Sequence, residues 1–235
     1  MLTIFTHIPK TAGTSFFNRA VRPNLADQEI WTNMSLRRIA STDLSEHRVL
    51  TGHRGFGLHR LTSQPCQYIT FLRDPIERAV SAYYFILQCD PRYCRHTLYD
   101  IAASVSLEEF YTMPRFQNQM TQMLAGIEFE LLVRTTRSAW FPGWMLERAK
   151  ENLSTRYLAF GLKERFSASV RHIEEALSLP SSEPIERTHK KTVGRPSIEE
   201  LAPDVIARLR DAHDLDLQLY DYAVALFARR MAVSA

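Results

Sequence analysis

The junction that most constrains the fold lies near the start of the chain, where the apolar run LTIFTHI at 2–8 meets PKTAGTS at 9–15. The β-branched and aromatic residues of that run predict a strand. Pro9 stops it, and helix-forming FFNRAV follows a bend at Gly13. A buried strand that passes through a short loop into a helix aims several backbone N–H groups at one spot, where the helix dipole adds positive charge. Such a loop holds anions. Lys10, Thr11, Ala12, Gly13, Thr14 and Ser15 are its candidate binding residues, with a full charge from Lys10, hydroxyls from Thr11, Thr14 and Ser15, and a tight turn at Gly13. The order differs from G-x-x-x-x-G-K-[ST], in which lysine closes the loop just before a magnesium-binding hydroxyl. Here the lysine comes first. Taken alone, the stretch also reads as an ordinary strand-to-helix turn with a surface lysine.

The same rhythm recurs. RVLTGH at 48–53, QYITFL at 67–72 and YLAFGL at 157–162 predict further strands. After the third of these four strands, Asp74 reads as an N-cap, Pro75 as the first helical residue and Glu77 as the partner of a capping box. Ile76, Val80, Tyr83 and Leu87 then share one helical face, as do Phe166, Val170, Ile173 and Leu177 after the last strand. Alternation of this kind predicts an α/β fold, a P-loop-like parallel sheet flanked by helices. Additional C-terminal helices are expected, one carrying Ile198, Leu201, Val205 and Leu209, the other Leu215, Leu219, Tyr222 and Phe227. Residues 95–150 read as helical cover with a break at TMPRFQNQM, and 180–197 as a long polar loop. A length of 235 residues suits one domain over 1–235.

A second anion element is FLRDPIERAVSAYY, with Arg73 at a strand end and Ser81 on the following helix. An arginine fork and a hydroxyl suit a phosphate monoester, although Arg73 alone reads more simply as an ion pair with Asp74 or Glu77. Two anion sites on neighbouring strand ends fit a ribose that carries a phosphate at its 5′ end and another at its 3′ position.

HIPKTAGTS and LRDPIERAVSAYYF together resemble the 5′-phosphosulfate loop and the 3′-phosphate element of sulfotransferases that use 3′-phosphoadenosine 5′-phosphosulfate (PAPS). The chain resembles the heparan sulfate 2-O-sulfotransferase and uronyl 2-sulfotransferase group, and the likeness extends to WMLERAKENLSTRYLAFGLKERF and THKKTVGRPS. The resemblance implies PAPS as co-substrate, no metal, and a hydroxyl acceptor on a carbohydrate or glycoconjugate. It implies Lys10 at the bridging oxygen of PAPS, and nucleotide contacts from Lys191, Thr192 and Arg195. The general base must come from the acceptor side. His53 in LTGHRGFG is the candidate, since neutral imidazole takes a proton near pH 7. Family members often carry a second histidine just before this one. Here that position is Thr51, so His53 acts alone or with His59 or a carboxylate. His7 reads as a support for the loop.

Composition bounds the alternatives. A net charge of +3 does not argue for nucleic-acid binding, and no apolar stretch approaches the roughly 20 residues of a membrane span. No secretory leader is apparent, so a cytoplasmic location is expected. The three cysteines resemble no disulfide framework, and a Cys89–Cys94 bridge is the less favoured state of that pair. The eight histidines show no zinc-binding spacing. Two other readings stay open: a nucleotide kinase with an irregular phosphate loop, and a module that binds adenosine 3′,5′-bisphosphate without catalysis. Arg54, Arg60, Arg92 and Arg95 could favour an anionic sugar, and Trp140 and Trp144 could line the acceptor cleft. No coiled-coil seam indicates an oligomeric state.

Overall fold

The structure, a computed structural model, describes residues 1–89, 96–129, 143–181, 192 and 194–233. Its centre is a five-stranded sheet made of β1 (Leu2–Thr6), β2 (Ile30–Trp31), β3 (Val49–Gly52), β4 (Cys66–Leu72) and β5 (Tyr157–Leu162). The spatial order is β2-β3-β1-β4-β5, and every pairing is parallel. All five residues of β1 are buried, as a central strand covered on both faces requires. The four long strands match the sequence reading. β2 was not foreseen, because two residues are too few to carry a period.

The chain winds from β1 outward to β2 and β3, then crosses back over β1 to lay down β4 and β5. Direction therefore reverses at β1, and in open α/β sheets the crevice beyond the carboxyl ends at such a reversal receives ligands. Four strand ends point there, leading respectively into the Pro9–Ser15 loop, His53, Arg73 and Lys163.

Helices cover the sheet: α1 (Gly13–Phe16), continued by a π turn over Phe17–Val21, then α2 (Leu36–Ser41) and α3 (Pro75–Gln88). Next come α4 (Tyr99–Ser104), α5 (Leu107–Phe110), α6 (Gln119–Ala125), α7 (Gly143–Thr155) and α8 (Phe166–Ala176). The expected break between helices is a 3-10 turn at Pro114–Phe116. α9 (Pro203–Ala212) begins later than its apolar pattern suggested, because Pro203 takes the first helical turn and Ile198–Glu200 forms a separate 3-10 turn. α10 (Asp214–Val233) closes the described chain. Among the described residues no helix is long and apolar enough to cross a membrane.

Asp74 caps α3 as expected, accepting from the Glu77 amide at 2.9 Å. The reciprocal half of the capping box does not form. Glu77 turns its carboxylate to two arginines instead, and the Asp74 amide donates to Glu164 at 3.3 Å. That diversion shapes the site.

Candidate active site

The loop after β1 takes its form from two residues in the left-handed region, Lys10 at φ 68° and Ala12 at φ 72°. Backbone N–H groups around such residues form an anion-binding concavity. Gly13 serves a different purpose from the tight turn expected of it. A Cβ there would lie 2.5 Å from His7 Cδ2 and 2.9 Å from Phe5 Cζ, so only glycine lets α1 start this close to β1. Thr11 also departs from expectation. It is fully buried and its hydroxyl donates to the Ile8 carbonyl at 2.9 Å, which tightens the loop and leaves no hydroxyl for a ligand.

A cavity of about 610 Å³ opens at the reversal point. Lys10, Ala12, Gly13, Thr14 and Ser15 line one part of it, and His53, Arg73 and Ser81 complete the group of sequence-predicted residues gathered there. Lys191 lies outside the described residues. Thr192 is half-buried and away from the cavity wall, and Arg195 reaches the site only through Glu77. Sequence reasoning missed Arg19, His96 and Lys163, which line the same cavity; Lys163 lies in the segment WMLERAKENLSTRYLAFGLKERF but was given no role there. Phe85, Phe110, Tyr111 and Phe116 make an aromatic wall, with the Lys10 ammonium 3.9 Å from the Phe85 ring centre. None of the described residues lining the cavity is Asp or Glu. Among the described residues, therefore, no carboxylate on that wall is placed to serve as the alternative base.

Arg73 is 6% exposed and does two jobs at once. One nitrogen donates to the Lys10 carbonyl at 3.1 Å, tying the end of β4 to the loop after β1, and another meets Glu77 at 2.6 Å. The same Glu77 oxygen accepts from Arg195. The ion pair read as the simpler role for Arg73 thus exists, but it joins strand, helix and the distant Arg195. Burial, then the neighbouring Arg195, lowers the Arg73 pKa; burial, then Arg73, lowers that of Lys163. The Arg73 Nε–H is buried without a hydrogen-bond partner. Such a concentration of partly dehydrated cations suits a phosphate monoester.

His53, at the end of β3, is exposed on the cavity wall, and its Nδ1 lies 2.6 Å from the His7 carbonyl oxygen. A carbonyl only accepts, so Nδ1 of the neutral ring carries the proton and Nε2 keeps a lone pair. His7 itself is neutral: burial, then His53, lowers its pKa to about 3. Its ring stacks on Phe5 at 5.2 Å and supports both Gly13 and His53. His59 is placed elsewhere, with Nδ1 2.9 Å from the Tyr68 hydroxyl and the ring against Phe56. It is off the cavity wall and does not assist His53 there.

Two of the arginines considered for an anionic acceptor, Arg54 and Arg60, are engaged away from the cavity. Arg54 donates to the Met34 carbonyl, and Arg60 pairs with Glu128. Arg92, Cys94, Arg95 and Trp140 lie outside the described residues, and so does the pairing considered for Cys89. Trp144 is exposed and meets Phe129 edge-on, not the cavity.

Behind the aromatic wall is a polar cluster that the sequence did not announce. Arg78, one turn after Asp74, is fully buried, donates to Gln119 at 2.9 Å and faces Asp216 at 3.8 Å. Asp216 also accepts from the Met120 and Thr121 amides and the Thr121 hydroxyl. Burial raises its pKa against those stabilising contacts. The cluster clamps α10 to α3 and α6, and it holds Gln119 at the cavity.

A family model described as "Sulfotransferase family" matches residues 3–223. Among curated proteins, heparan-sulfate 6-O-sulfotransferase 2 of Danio rerio is 26% identical over 97% of this chain and 58% of its own length. Heparan-sulfate 6-O-sulfotransferase 1 of Homo sapiens is 30% identical over 72% of this chain and 45% of its own. Heparan sulfate 2-O-sulfotransferase 1 of Gallus gallus is 26% identical over 97% and 70%. The chain spans about half the length of the first two relatives. The 6-O enzymes join the 2-O group that the motifs resemble. With the family model covering all but the ends of the chain, and the two anion elements meeting at one cavity, this protein belongs to the sulfotransferase family.

Proposed function

We propose that the protein transfers the sulfuryl group of PAPS to a hydroxyl of a carbohydrate or glycoconjugate. The observation that carries this reading is the arrangement of His53, whose Nε2 lone pair is set by the His7 carbonyl in the cavity that also holds the Lys10 loop and Arg73. The loop from Lys10 to Ser15 receives the 5′-phosphosulfate, and Arg73 with Ser81 receives the 3′-phosphate. Lys10 opposes negative charge as it grows on the departing phosphate oxygen, where its effect is larger in the transition state than in the bound substrate. His53 takes the acceptor proton. Aromatic side chains on the wall suit the C–H faces of a sugar ring, in keeping with relatives named for heparan sulfate. No metal or nucleic-acid partner enters this reading, and residues 1–235 act as one domain.

The absence of a carboxylate among the described lining residues disfavours the nucleotide kinase, which needs one for magnesium. The set lone pair on His53 disfavours the non-catalytic module. Incubating the protein with radiolabelled PAPS and chemically desulfated heparan sulfate, then measuring label in the polymer and adenosine 3′,5′-bisphosphate released, tests the proposal. Equal yields of labelled polymer and bisphosphate are expected. Bisphosphate-free, label-free reactions across a panel of glycans would contradict it.

A further inference from the structure

Three histidines line the cavity, His7, His53 and His96, and the backbone partners of the last two dictate opposite tautomers. The His7 carbonyl fixes the proton of neutral His53 on Nδ1 and leaves the lone pair on Nε2. At His96 the partner is an N–H: the Leu98 amide donates to Nδ1 at 3.1 Å. An amide only donates, so Nδ1 of His96 holds the lone pair and Nε2 carries the hydrogen. Burial, then the nearby His53, lowers the His96 pKa. Within one cavity His53 therefore presents an imidazole that accepts and His96 one that donates.

His96 is also seated by the site. Its ring meets Phe85 edge-on, with centroids 6.2 Å apart, and the same Phe85 ring carries the Lys10 ammonium. Phe85 thus stands between the lysine of the donor loop and the second histidine. A hydroxyl bonded to a base alone can swivel about its O–H···N axis, which leaves the direction of its attacking lone pair undefined. A second hydrogen bond, accepted by the oxygen, removes that freedom.

We propose that His96 positions the acceptor: its Nε2–H donates to the acceptor oxygen while His53 Nε2 receives the proton of the same hydroxyl. The role rests on the sulfotransferase reading above. The acceptor oxygen forms the new S–O bond as its O–H proton passes to His53. The S–O bond to the 5′-phosphate breaks, and its electron pair leaves on adenosine 3′,5′-bisphosphate. His96 keeps its proton throughout.

Long-range nitrogen–proton correlation spectra of the histidine-labelled protein test the tautomers directly. Nδ1 of His96 and Nε2 of His53 are expected as the unprotonated nitrogens, and the reverse pattern at His96 overturns the proposal. With labelled PAPS and desulfated heparan sulfate as the probe acceptor, His96→Ala should lower kcat/KM for the acceptor roughly tenfold or more, the worth of one good hydrogen bond. Affinity for adenosine 3′,5′-bisphosphate should stay within about twofold. His96→Gln, which can offer an amide N–H, should recover most of the loss. An active wild type with an indifferent His96→Ala, or a glutamine variant no better than alanine, overturns this role alone. A wild type that transfers nothing overturns the parent reading and this role with it.

Discussion

Arg73 Nη2 lies 2.6 Å from the carboxylate of Glu77, one helical turn along the chain, and this pair replaces the second half of the cap of α3. Because Glu77 also binds Arg195, the cap diversion gathers two arginines at the strand end where a 3′-phosphate is proposed to sit. Arg73→Ala should weaken binding of adenosine 3′,5′-bisphosphate by about 1.5–3 kcal/mol, the range for hydrogen bonds to charged groups. Calorimetry checks this. Unchanged affinity would reduce Arg73 to its ion pair with Glu77.

The pair also makes the fold sensitive to acid. Burial on its own would raise the Glu77 pKa, but hydrogen bonds and charge from Arg195 and Arg73 outweigh it and hold the carboxyl below its ordinary 4.5. Stability from Glu77 is thus present above 4.5 and lost as pH falls through the lowered value. His7 acts over a higher window, since its folded pKa of about 3 lies under the ordinary 6.5. As pH falls from 6.5 toward 3, the unfolded chain takes up a proton that the folded chain refuses, and stability declines. Denaturation midpoints should fall from about pH 6.5 to about pH 4 in the wild type and fall less steeply in His7→Gln. Parallel slopes would remove His7 from the account.

Gly13→Ala should destabilise the fold by roughly 1–3 kcal/mol, the cost of overpacking a filled site. The added methyl would come within 3 Å of both the His7 ring and the buried Phe5 ring. Thermal unfolding reads the loss. A neutral substitution would mean that α1 can move away from β1.

Asp216→Ala should cost roughly 3–5 kcal/mol, because it leaves the buried Arg78 guanidinium without its carboxylate and two amides without an acceptor. Chemical denaturation checks it, and a loss under about 1 kcal/mol would show that water reaches Arg78.

The long strands were legible in the sequence because buried parallel strands read as short apolar runs closed by a proline, glycine or charge, as at Pro9, Gly52 and Arg73. The two anion elements were legible because each is local. What escaped was whatever the topology assembles from separate segments. His96 reaches the cavity from a position with no local pattern, Lys163 gains its place only because β5 joins the same sheet, and the Arg78–Asp216 contact joins α3 to α10 across most of the chain. Local rules also misassigned causes. The sequence makes Gly13 look like the turn residue, yet the positive φ angles fall on Lys10 and Ala12. Glu77 looks like a capping partner, because the sequence does not reveal that Arg195 competes for it.

Lys10 and His53 should fail differently when removed. Lys10→Ala takes charge from the bound phosphosulfate and from the leaving oxygen, so both PAPS affinity and turnover should fall. Equilibrium binding and single-turnover rates separate the two losses. Normal affinity with slow turnover would confine Lys10 to the transition state.

The central claim, that His53 is the base of a sulfuryl transfer, is tested most directly by the single-turnover rate of His53→Ala with saturating PAPS and an acceptor that the wild type sulfates. The rate should fall about 10²–10⁴-fold, the usual contribution of a general base, while affinity for PAPS stays at the wild-type level. A variant that transfers the label at a near wild-type rate would contradict the claim and place the base on another residue.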